Sequence, residues 1–400
     1  MQPVILSATR YGAVAACSIA LSALGWSAPG TEDVADIWLP WMDIVARQGL
    51  LEGYAEIDGD YPPGAAALLF VARRLMPAAA SDLTVVKALL ATSFLVSALF
   101  FAAFCRRTAF CLGFVAAVAL SASSLGYLDI LFAAPLIVAL FAALDDRPAL
   151  SSTALAVACL IKWQPLILLP FLLPVWIEQA RRPSIRHLAF AASPALAICG
   201  AMALWTWPEM WTAFNRAFSH GSWSENALNL PWLLQLLVGQ PPKPLDAPDH
   251  AVFSLRLLFA LVYLPLLVRG WSRRRSAEAA LTYGLAGFVA YFMLAPSVHE
   301  NHLFTAMVLA FVLWARDPSM SWPAIGIALF ANVNLMVFYG LAGTPPFPPS
   351  SRFALLTGAL SAVATGAFCY ALYKFSVGRP ARGSPVGSGG GPAATTAENR

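Results

Sequence analysis

The sequence predicts an all-α fold, a polytopic membrane helix bundle of about 12 spans with an acidic first outer loop. Hydrophobic residues make up 59% of the 400 residues and charged residues only 12%, whereas a soluble domain carries about 25% charged residues. Apolar runs recur along most of the chain between short polar segments. With the N-terminus cytoplasmic, 16 of the 25 basic residues fall in cytoplasmic segments, as the positive-inside rule expects. We therefore expect a multi-pass protein of the inner (plasma) membrane with both termini cytoplasmic.

The first half of the chain combines an acidic segment with several apolar runs. Residues 11–27 predict the first span, which we take as uncleaved; a cleaved signal peptide is the alternative. The acidic segment, residues 29–64, then lies on the outer side. Residues 65–75 are too short to cross a hydrocarbon core about 30 Å thick and predict a helix at the outer surface. The next predicted spans are residues 83–104, 109–121, 128–144, 150–173 and 187–205.

The second half begins with a long outer segment, residues 207–250, that is rich in aromatic side chains. The spans predicted after it are residues 252–268, 281–295, 303–315, 322–341 and 353–375. Residues 1–376 are predicted to form one transmembrane domain. Residues 377–400 are rich in Gly, Ser, Pro and Ala, which predicts a disordered cytoplasmic tail.

The acidic segment is the most unusual stretch of the chain. It holds eight of the 21 acidic residues, and Arg47 is its only basic residue. Asp33, Asp36 and Asp43 would share one face if this part were helical. The face is either a solvated surface of an amphipathic helix or part of a site for a polar substrate.

Two further stretches place polar groups at predicted outer turns. Asp60 and Tyr61 precede two prolines that stiffen the backbone, which suits either a rigid wall beside a site or a simple re-entry turn. Lys162 interrupts the run 150–173, so this run predicts two short spans joined by an outer turn. A charged side chain at membrane depth costs at least about 2.5 kcal/mol. Lys162 is therefore either a lysine that snorkels to the interface or a cation for a lipid phosphate.

A third outer turn has the sequence His299-Glu300-Asn301-His302. Three interpretations are open: an ordinary polar turn, a site for a sugar or phosphate, and a metal site. The spacing of the two histidines does not match a zinc helix motif, and no further ligand is near in sequence. We expect no cofactor and no set of metal ligands, although dependence on a divalent metal stays open.

Several function classes are excluded by what the sequence lacks. The net charge of +4 and the absence of basic-aromatic clusters argue against a nucleic-acid partner. The six cysteines lie singly and predict small buried apolar side chains. Neither a phosphate-binding loop ending in GKS/T nor a GxSxG nucleophile motif is present. The energy for any reaction must therefore arrive with the substrate, as it does with a polyprenyl-phosphate sugar.

Five motifs occur in an order that is informative as a set. They are TEDVADIWLPWMD with Asp33 ahead of Pro40-Trp41, DYPPG at residues 60–64, IKWQPLILLPFLL, LNLPWLL at residues 228–234, and VHENHLF. This set resembles the GT-C membrane glycosyltransferases, and most closely the bacterial mannosyltransferases related to GPI mannosyltransferase II. It is similar, more loosely, to glycosyltransferase family 87 and to protein O-mannosyltransferases. The last motif departs from the family pattern, because Asn301 stands where the family often has arginine.

The resemblance implies transfer of a hexose, with mannose as the first expectation, from a polyprenyl-phosphate donor to a lipid, glycan or protein acceptor. The reaction would be an inverting single displacement at the outer or periplasmic face. Asp33 would be the general base, with Asp36 as its alternative. Lys162 would stabilise the leaving phosphate, with Arg256 or Arg352 as the second candidates. The other residues expected to bind substrate are Asp36, Asp60, Tyr61, Gln164, His299, Glu300 and His302, and Trp41 and Trp232 could add apolar walls.

Two other functions remain as alternatives. A transporter or flippase of a lipid-linked or polar solute should have charged residues at mid-membrane and internally similar halves with broken helices. The sequence has no convincing repeat, and its unusual charges cluster at the outer turns. A structural or assembly protein of the membrane would leave the acidic segment without a role.

Overall fold

Nine α-helices form in residues 2–180. The computed structural model describes residues 2–180 and 185–377. The helices of the first half are α1 (Gln2–Leu24), α2 (Leu39–Gln48), α3 (Leu50–Glu56), α4 (Pro63–Leu75), α5 (Asp82–Phe104), α6 (Thr108–Ala119), α7 (Asp129–Leu144), α8 (Pro148–Ile161) and α9 (Leu169–Gln179). One π-helical turn, Val34–Trp38, precedes α2, and another, Leu120–Leu125, extends α6.

Eight α-helices complete the described part of the chain. They are α10 (Ile185–Thr206), α11 (Glu209–Ser219), α12 (Leu230–Leu237), α13 (Asp249–Ser272), α14 (Ala277–Leu294), α15 (Leu303–Arg316), α16 (Ser321–Tyr339) and α17 (Ser351–Val377). With 79% of the structure helical and no strand among the described residues, the all-α prediction is confirmed. The predicted tail begins at the last residue of α17, and residues 378–400 lie outside the described residues.

Six helical segments of the described residues are long and apolar enough to cross a membrane. They are Asp82–Phe104, Thr108–Leu125, Asp249–Ser272, Ala277–Leu294, Pro318–Tyr339 and Ser351–Ser376. On α13, Phe253, Leu257, Leu261, Leu264 and Val268 recur every three or four residues and are exposed, as expected for a helix face in contact with lipid. These helices indicate a membrane-embedded protein. The count of about 12 spans stays a prediction, because four further apolar helices are shorter than a span.

The core of the bundle is formed around α7 and α15. Every residue of α15 from Leu303 to Leu313 is buried, and α7 is almost as completely covered. Both helices begin at the same end of the bundle, and there α8 and α14 end. The turns at this end are therefore attached to the two most completely buried helices of the core.

The opposite end of the bundle carries ion pairs between helix ends. Arg316 at the end of α15 pairs with Asp145 just after α7. Arg274 and Arg275, after α13, pair with Glu178 of α9 at 3.2 and 3.4 Å. These arginines belong to the clusters that the sequence assigns to the cytoplasmic side, and the structure gathers them at the end away from the polar turns.

The helices agree with the segments predicted from the sequence more closely in position than in length. Residues 65–75 form most of α4, and the run 150–173 is broken as predicted, because α8 ends at Ile161 and Lys162 is extended (φ −152°, ψ 140°). The acidic segment differs from expectation. Residues 32–48, which carry the three aspartates, form one unbroken helical stretch, but Val34–Trp38 make a π-helical turn within it, and the separate short helix α3 follows.

Candidate functional site

The candidate site lies where four distant stretches of the chain meet. These stretches are the turn of residues 57–63 that leads into α4, the residues after α8, the 217–226 part of the outer segment, and the 295–302 turn between α14 and α15. The outer segment is fastened to the last of these turns. The backbone N–H of Glu225 donates to Val298 O at 2.9 Å, and that of Glu300 donates to Glu225 O at 3.1 Å. The site is thus enclosed by backbone pairing as well as by side chains.

A cavity of about 380 Å³ opens between these stretches. Its size falls within the range of about 300–1,000 Å³ that is typical of small-molecule sites. Six of the residues predicted to bind substrate line it: Asp60, Tyr61, Lys162, Gln164, His299 and His302. Segments separated by up to 242 positions in the sequence therefore contribute polar groups to one cavity, whose wall is otherwise largely apolar.

Lys162 is held by an acidic residue that the sequence analysis did not single out. Its Nζ lies 3.0 Å from both carboxylate oxygens of Asp129, the first residue of α7. The side chain of Asp129 is fully buried and that of Lys162 is 8% exposed. A lysine buried this deeply is costly without an acidic partner, and Asp129 provides that partner. In the sequence, Asp129 could have been recognised as the lone carboxylate inside the apolar run 128–144.

Asn301 belongs to the same cluster. Its Nδ2 donates to Oδ2 of Asp129 at 3.0 Å, and the residue itself is buried. The amide therefore contacts a carboxylate and does not line the cavity. An arginine here would bring a second positive charge to Asp129, whereas asparagine leaves Lys162 as the only cation paired with it among residues 2–180 and 185–377.

The Asp60–Tyr61 turn is fixed from two sides. Trp163 Nε1 donates to Asp60 O at 2.8 Å, and the Tyr54 hydroxyl donates to Tyr61 O at 2.9 Å. The ring of Tyr61 lies beneath the ammonium of Lys162, 5.2 Å from its centroid. The turn thus forms a rigid wall of the cavity, one of the two interpretations left open by its sequence.

The two other aromatic residues considered as walls lie elsewhere. Trp41 packs edge-on against Tyr61, with ring centroids 5.6 Å apart, and so stands behind the cavity wall. Trp232 is fully buried against Phe338, with centroids 5.1 Å apart. Tyr61 alone of the three lines the cavity.

His299 and His302 bring neutral rings to the cavity. Burial, followed by repulsion from Lys162, lowers the pKa of His299 to about 3. Burial and the neighbouring His299 lower the pKa of His302 well below its usual value. The Nδ1 atom of His302 is 2.9 Å from the Tyr291 hydroxyl. Both rings can exchange hydrogen bonds with a ligand but add no positive charge for a phosphate.

Glu300 points away from the cavity, although His299 and His302 of the same turn line it. Its carboxyl accepts a hydrogen bond from the hydroxyl of Tyr127, and its carbonyl accepts from Nδ2 of Asn334 at 3.0 Å. Burial, and next the charge of Asp33, raise the pKa of Glu300 well above the usual value. These contacts fix the 299–302 turn. Contact of Glu300 with substrate stays a prediction.

Asp33, the expected base, lies beside the cavity without lining it. Asp33 is half-buried, and burial raises the pKa of its carboxyl to about 6. The positive charge of Lys162 lowers this pKa, and the negative charges of Glu32, Asp129 and Asp60 raise it further. Asp33 is therefore within electrostatic reach of Lys162. Asp60 is the carboxylate on the cavity wall, and its Oδ2 lies 3.9 Å from Nε2 of His220.

Two of the expected residues do not line the cavity. Asp36 is exposed and Arg352 is exposed at the start of α17. Asp43, which would share a helical face with Asp33 and Asp36, pairs with Arg47 at 2.7 Å on the surface. The π-helical turn after Asp33 changes the helical register, so the three aspartates do not act as one face.

Arg256 supplies a second cation to the cavity wall. Its Nη2 donates to the backbone carbonyls of Phe218 and His220 at 3.1 and 3.0 Å. Among the described residues it forms no ion pair with a carboxylate, so its charge is not compensated as that of Lys162 is. For a phosphate group, Arg256 is therefore the stronger of the two cations.

No set of three or more His, Cys, Asp or Glu side chains in the described residues is arranged to hold a metal ion. The two histidines of the 299–302 turn have ring centroids 5.1 Å apart and are joined by no third ligand of this kind. What the cavity offers is carboxylate, cation and neutral hydrogen-bonding groups. This combination suits a ligand with both an anionic and a polyhydroxyl part.

Comparison with known proteins adds no family assignment. The chain matched none of the protein-family models and none of the curated proteins with which it was compared. Arguments about function therefore depend on the residues and on the geometry of the cavity.

Proposed function

We propose that this protein is a membrane glycosyltransferase of the GT-C type. It transfers a hexose, with mannose as the first expectation, from a polyprenyl-phosphate donor to a lipid, glycan or protein acceptor at the outer face of the membrane. Asp33 or Asp60 is the general base. Arg256 and Lys162 stabilise the phosphate that leaves.

The observation that carries the proposal is the composition of one cavity. Groups from distant stretches converge there: the carboxylate of Asp60, the cations Lys162 and Arg256, the latter from α13, and neutral hydrogen-bonding groups such as Gln164. An apolar cavity would suit a lipid alone, and a cavity with only cations would suit any anion. A lipid-linked sugar phosphate uses all three kinds of group.

The chemistry is a single displacement. The acceptor hydroxyl oxygen forms a bond to the anomeric carbon while the bond from that carbon to the phosphate oxygen breaks. The electron pair of the broken bond stays on the phosphate, whose growing negative charge is stabilised by Arg256 and Lys162. The hydroxyl proton passes to the carboxylate. Asp33 suits this role by its pKa of about 6, and Asp60 suits it by its place on the cavity wall.

The test compares three aspartate variants of the full-length protein. Asp33→Asn and Asp60→Asn are each assayed for transfer from farnesyl-phosphate mannose, with Asp36→Asn as the matched control on an exposed residue. Loss of the base should lower the transfer rate about 10²–10⁴-fold in one of the first two variants and not in the control. Equal transfer rates in the native protein and in all three variants would show that neither Asp33 nor Asp60 is the general base.

A further inference from the structure

We infer that Gln164 forms a subsite for two neighbouring hydroxyl groups of the ligand, its amide oxygen accepting from one and its amide nitrogen donating to the other. This inference rests on the proposed function and specifies which part of the donor Gln164 contacts. It makes Gln164 the residue that distinguishes sugar-bearing lipids from the bare polyprenyl phosphate.

The first observation is that the amide is buried without partners. Gln164 is 7% exposed and lines the cavity. Within the described residues, neither its Oε1 nor its Nε2 has a hydrogen-bond partner. Leaving a buried polar atom unpaired is unfavourable, so buried amides in folded proteins are almost always bonded. Both amide atoms are covered by protein. A ligand supplies the missing partners once the Gln164 side chain rotates into the cavity, as side chains at binding surfaces commonly do.

A second glutamine shows what the chain does with a purely structural amide. Gln235 in α12 is fully buried, and its Nε2 donates to Pro241 O at 2.8 Å and to Lys243 O at 2.7 Å. The nitrogen of that amide fastens the loop after α12, whereas its Oε1 is buried without a partner among the described residues. Gln164 has no such internal task, although it is almost as deeply buried.

The chemistry of an amide selects the class of ligand. The oxygen of Gln164 needs a donor and its nitrogen needs an acceptor. An ionised phosphate offers acceptors only, and a prenyl chain offers neither. Neighbouring hydroxyl groups offer both. The cavity provides further neutral groups of this kind, since His302 is bonded to Tyr291 through Nδ1 and His299 lies 5.1 Å from it between ring centroids.

The test measures binding, so that it does not depend on turnover. Affinities of the purified full-length protein for farnesyl-phosphate mannose and for farnesyl phosphate are compared in the native chain, in Gln164→Met and in Gln235→Met. We expect Gln164→Met to bind the mannosyl lipid about 10- to 100-fold more weakly and the bare phosphate unchanged. A second series uses mannosyl lipids that each lack one ring hydroxyl. Each should bind the native chain more weakly than the complete mannosyl lipid does. For the two that lack a hydroxyl bonded by Gln164, Gln164→Met should bind the deoxy donor and the complete donor equally well.

Thermal unfolding separates recognition from folding. Without ligand, Gln164→Met should unfold at the same or a higher temperature, because it removes an unsatisfied amide. Gln235→Met should unfold at a lower temperature and keep the native preference for the mannosyl lipid. If Gln164→Met keeps that preference, the subsite is wrong and the proposed function survives. If the native chain does not prefer the mannosyl lipid, both proposals fail.

Discussion

The contact between Lys162 and Asp129 is the most constrained feature at the scale of single residues. Both side chains are buried, and each carboxylate oxygen lies 3.0 Å from Nζ. Such a pair adds little net stability compared with apolar residues of the same size, because both charges lose their hydration. Its role is to keep a cation at the cavity wall against the apolar core.

This view predicts how the pair responds to substitution. Asp129→Asn leaves the ammonium of Lys162 buried without its counter-charge and should lower the free energy of unfolding by about 3–5 kcal/mol. The double variant Asp129→Leu with Lys162→Met removes both charges and should recover most of that loss. Thermal unfolding of the purified proteins measures both. If the double variant is as unstable as the single one, the ion pair is not the source of the effect.

A pH dependence follows if Asp33 is the base. Its pKa of about 6 lies above the ordinary aspartate value of 3.8, mainly because the carboxyl is buried. A base must be ionised, so transfer should rise with pH through about 6 and level off above it. A rate that is flat across this range would contradict the assignment.

The same shift predicts the stability of the Asp33→Asn variant. The folded chain holds the Asp33 proton more tightly than the unfolded chain, so ionisation between pH 3.8 and about 6 destabilises the fold. The asparagine side chain that replaces it cannot ionise. The variant should therefore unfold at the same or a higher temperature than the native chain at neutral pH, and at a similar temperature at pH values near 3.8. A lower unfolding temperature at neutral pH would mean that the carboxylate stabilises the fold.

The residues of the cavity could be predicted only where the sequence marked them. Asp60, Tyr61, Lys162, Gln164, His299 and His302 sit in polar motifs that interrupt apolar runs, and all six line the cavity. Asp129 was missed because it lies one residue inside a run that has the pattern of a plain span. Whether Glu300 faces the ligand or the core depends on the direction of a side chain in a tight turn, and the pattern of residues does not encode that direction.

At the scale of elements, the break after α8 is what brings Lys162 to the cavity. The close approach of α4 to the end of α8 depends on Gly64, because a methyl group there would overlap the carbonyl of Leu160. Gly64→Ala should therefore lower the free energy of unfolding by about 1–3 kcal/mol through overpacking. Helix propensity alone predicts the opposite sign.

Gly12 in α1 provides the matched control for this prediction. A methyl group at Gly12 meets nothing within 4 Å, so Gly12→Ala should leave stability unchanged or raise it. Thermal unfolding of the two variants beside the native chain makes the comparison. If both alanine variants change stability in the same direction, the close contact between α4 and α8 at Gly64 does not determine the effect of the added methyl group.

Helix positions were predictable from the sequence because apolar runs and charged ends mark them. The span 83–104 differs from α5 by a single residue at its start. The acidic segment was not predictable in detail. The π-helical turn at Val34–Trp38 arises from the packing of Val34 and Trp38, both 1% exposed, and such tertiary contacts leave no periodic signal.

At the scale of the whole molecule, we propose that the cavity lies on the outer side of the membrane and the arginine-rich helix ends on the cytoplasmic side. Gln240 and Ser272 are exposed residues on either side of the apolar stretch of α13. In a chain whose six cysteines are replaced by alanine, Gln240→Cys should react with an impermeant maleimide in intact cells. Ser272→Cys should react only after permeabilisation. The reverse pattern would invert the topology and place the cavity in the cytoplasm.

The central claim is that the cavity transfers a sugar from a lipid phosphate. The most direct measurement is the mass of the products when the purified protein, in liposomes, meets farnesyl-phosphate mannose and a panel of lipid, glycan and peptide acceptors. The account predicts an acceptor heavier by one hexose, together with an equal amount of farnesyl phosphate. Intact farnesyl-phosphate mannose that has merely crossed to the other leaflet would contradict it and indicate a transporter.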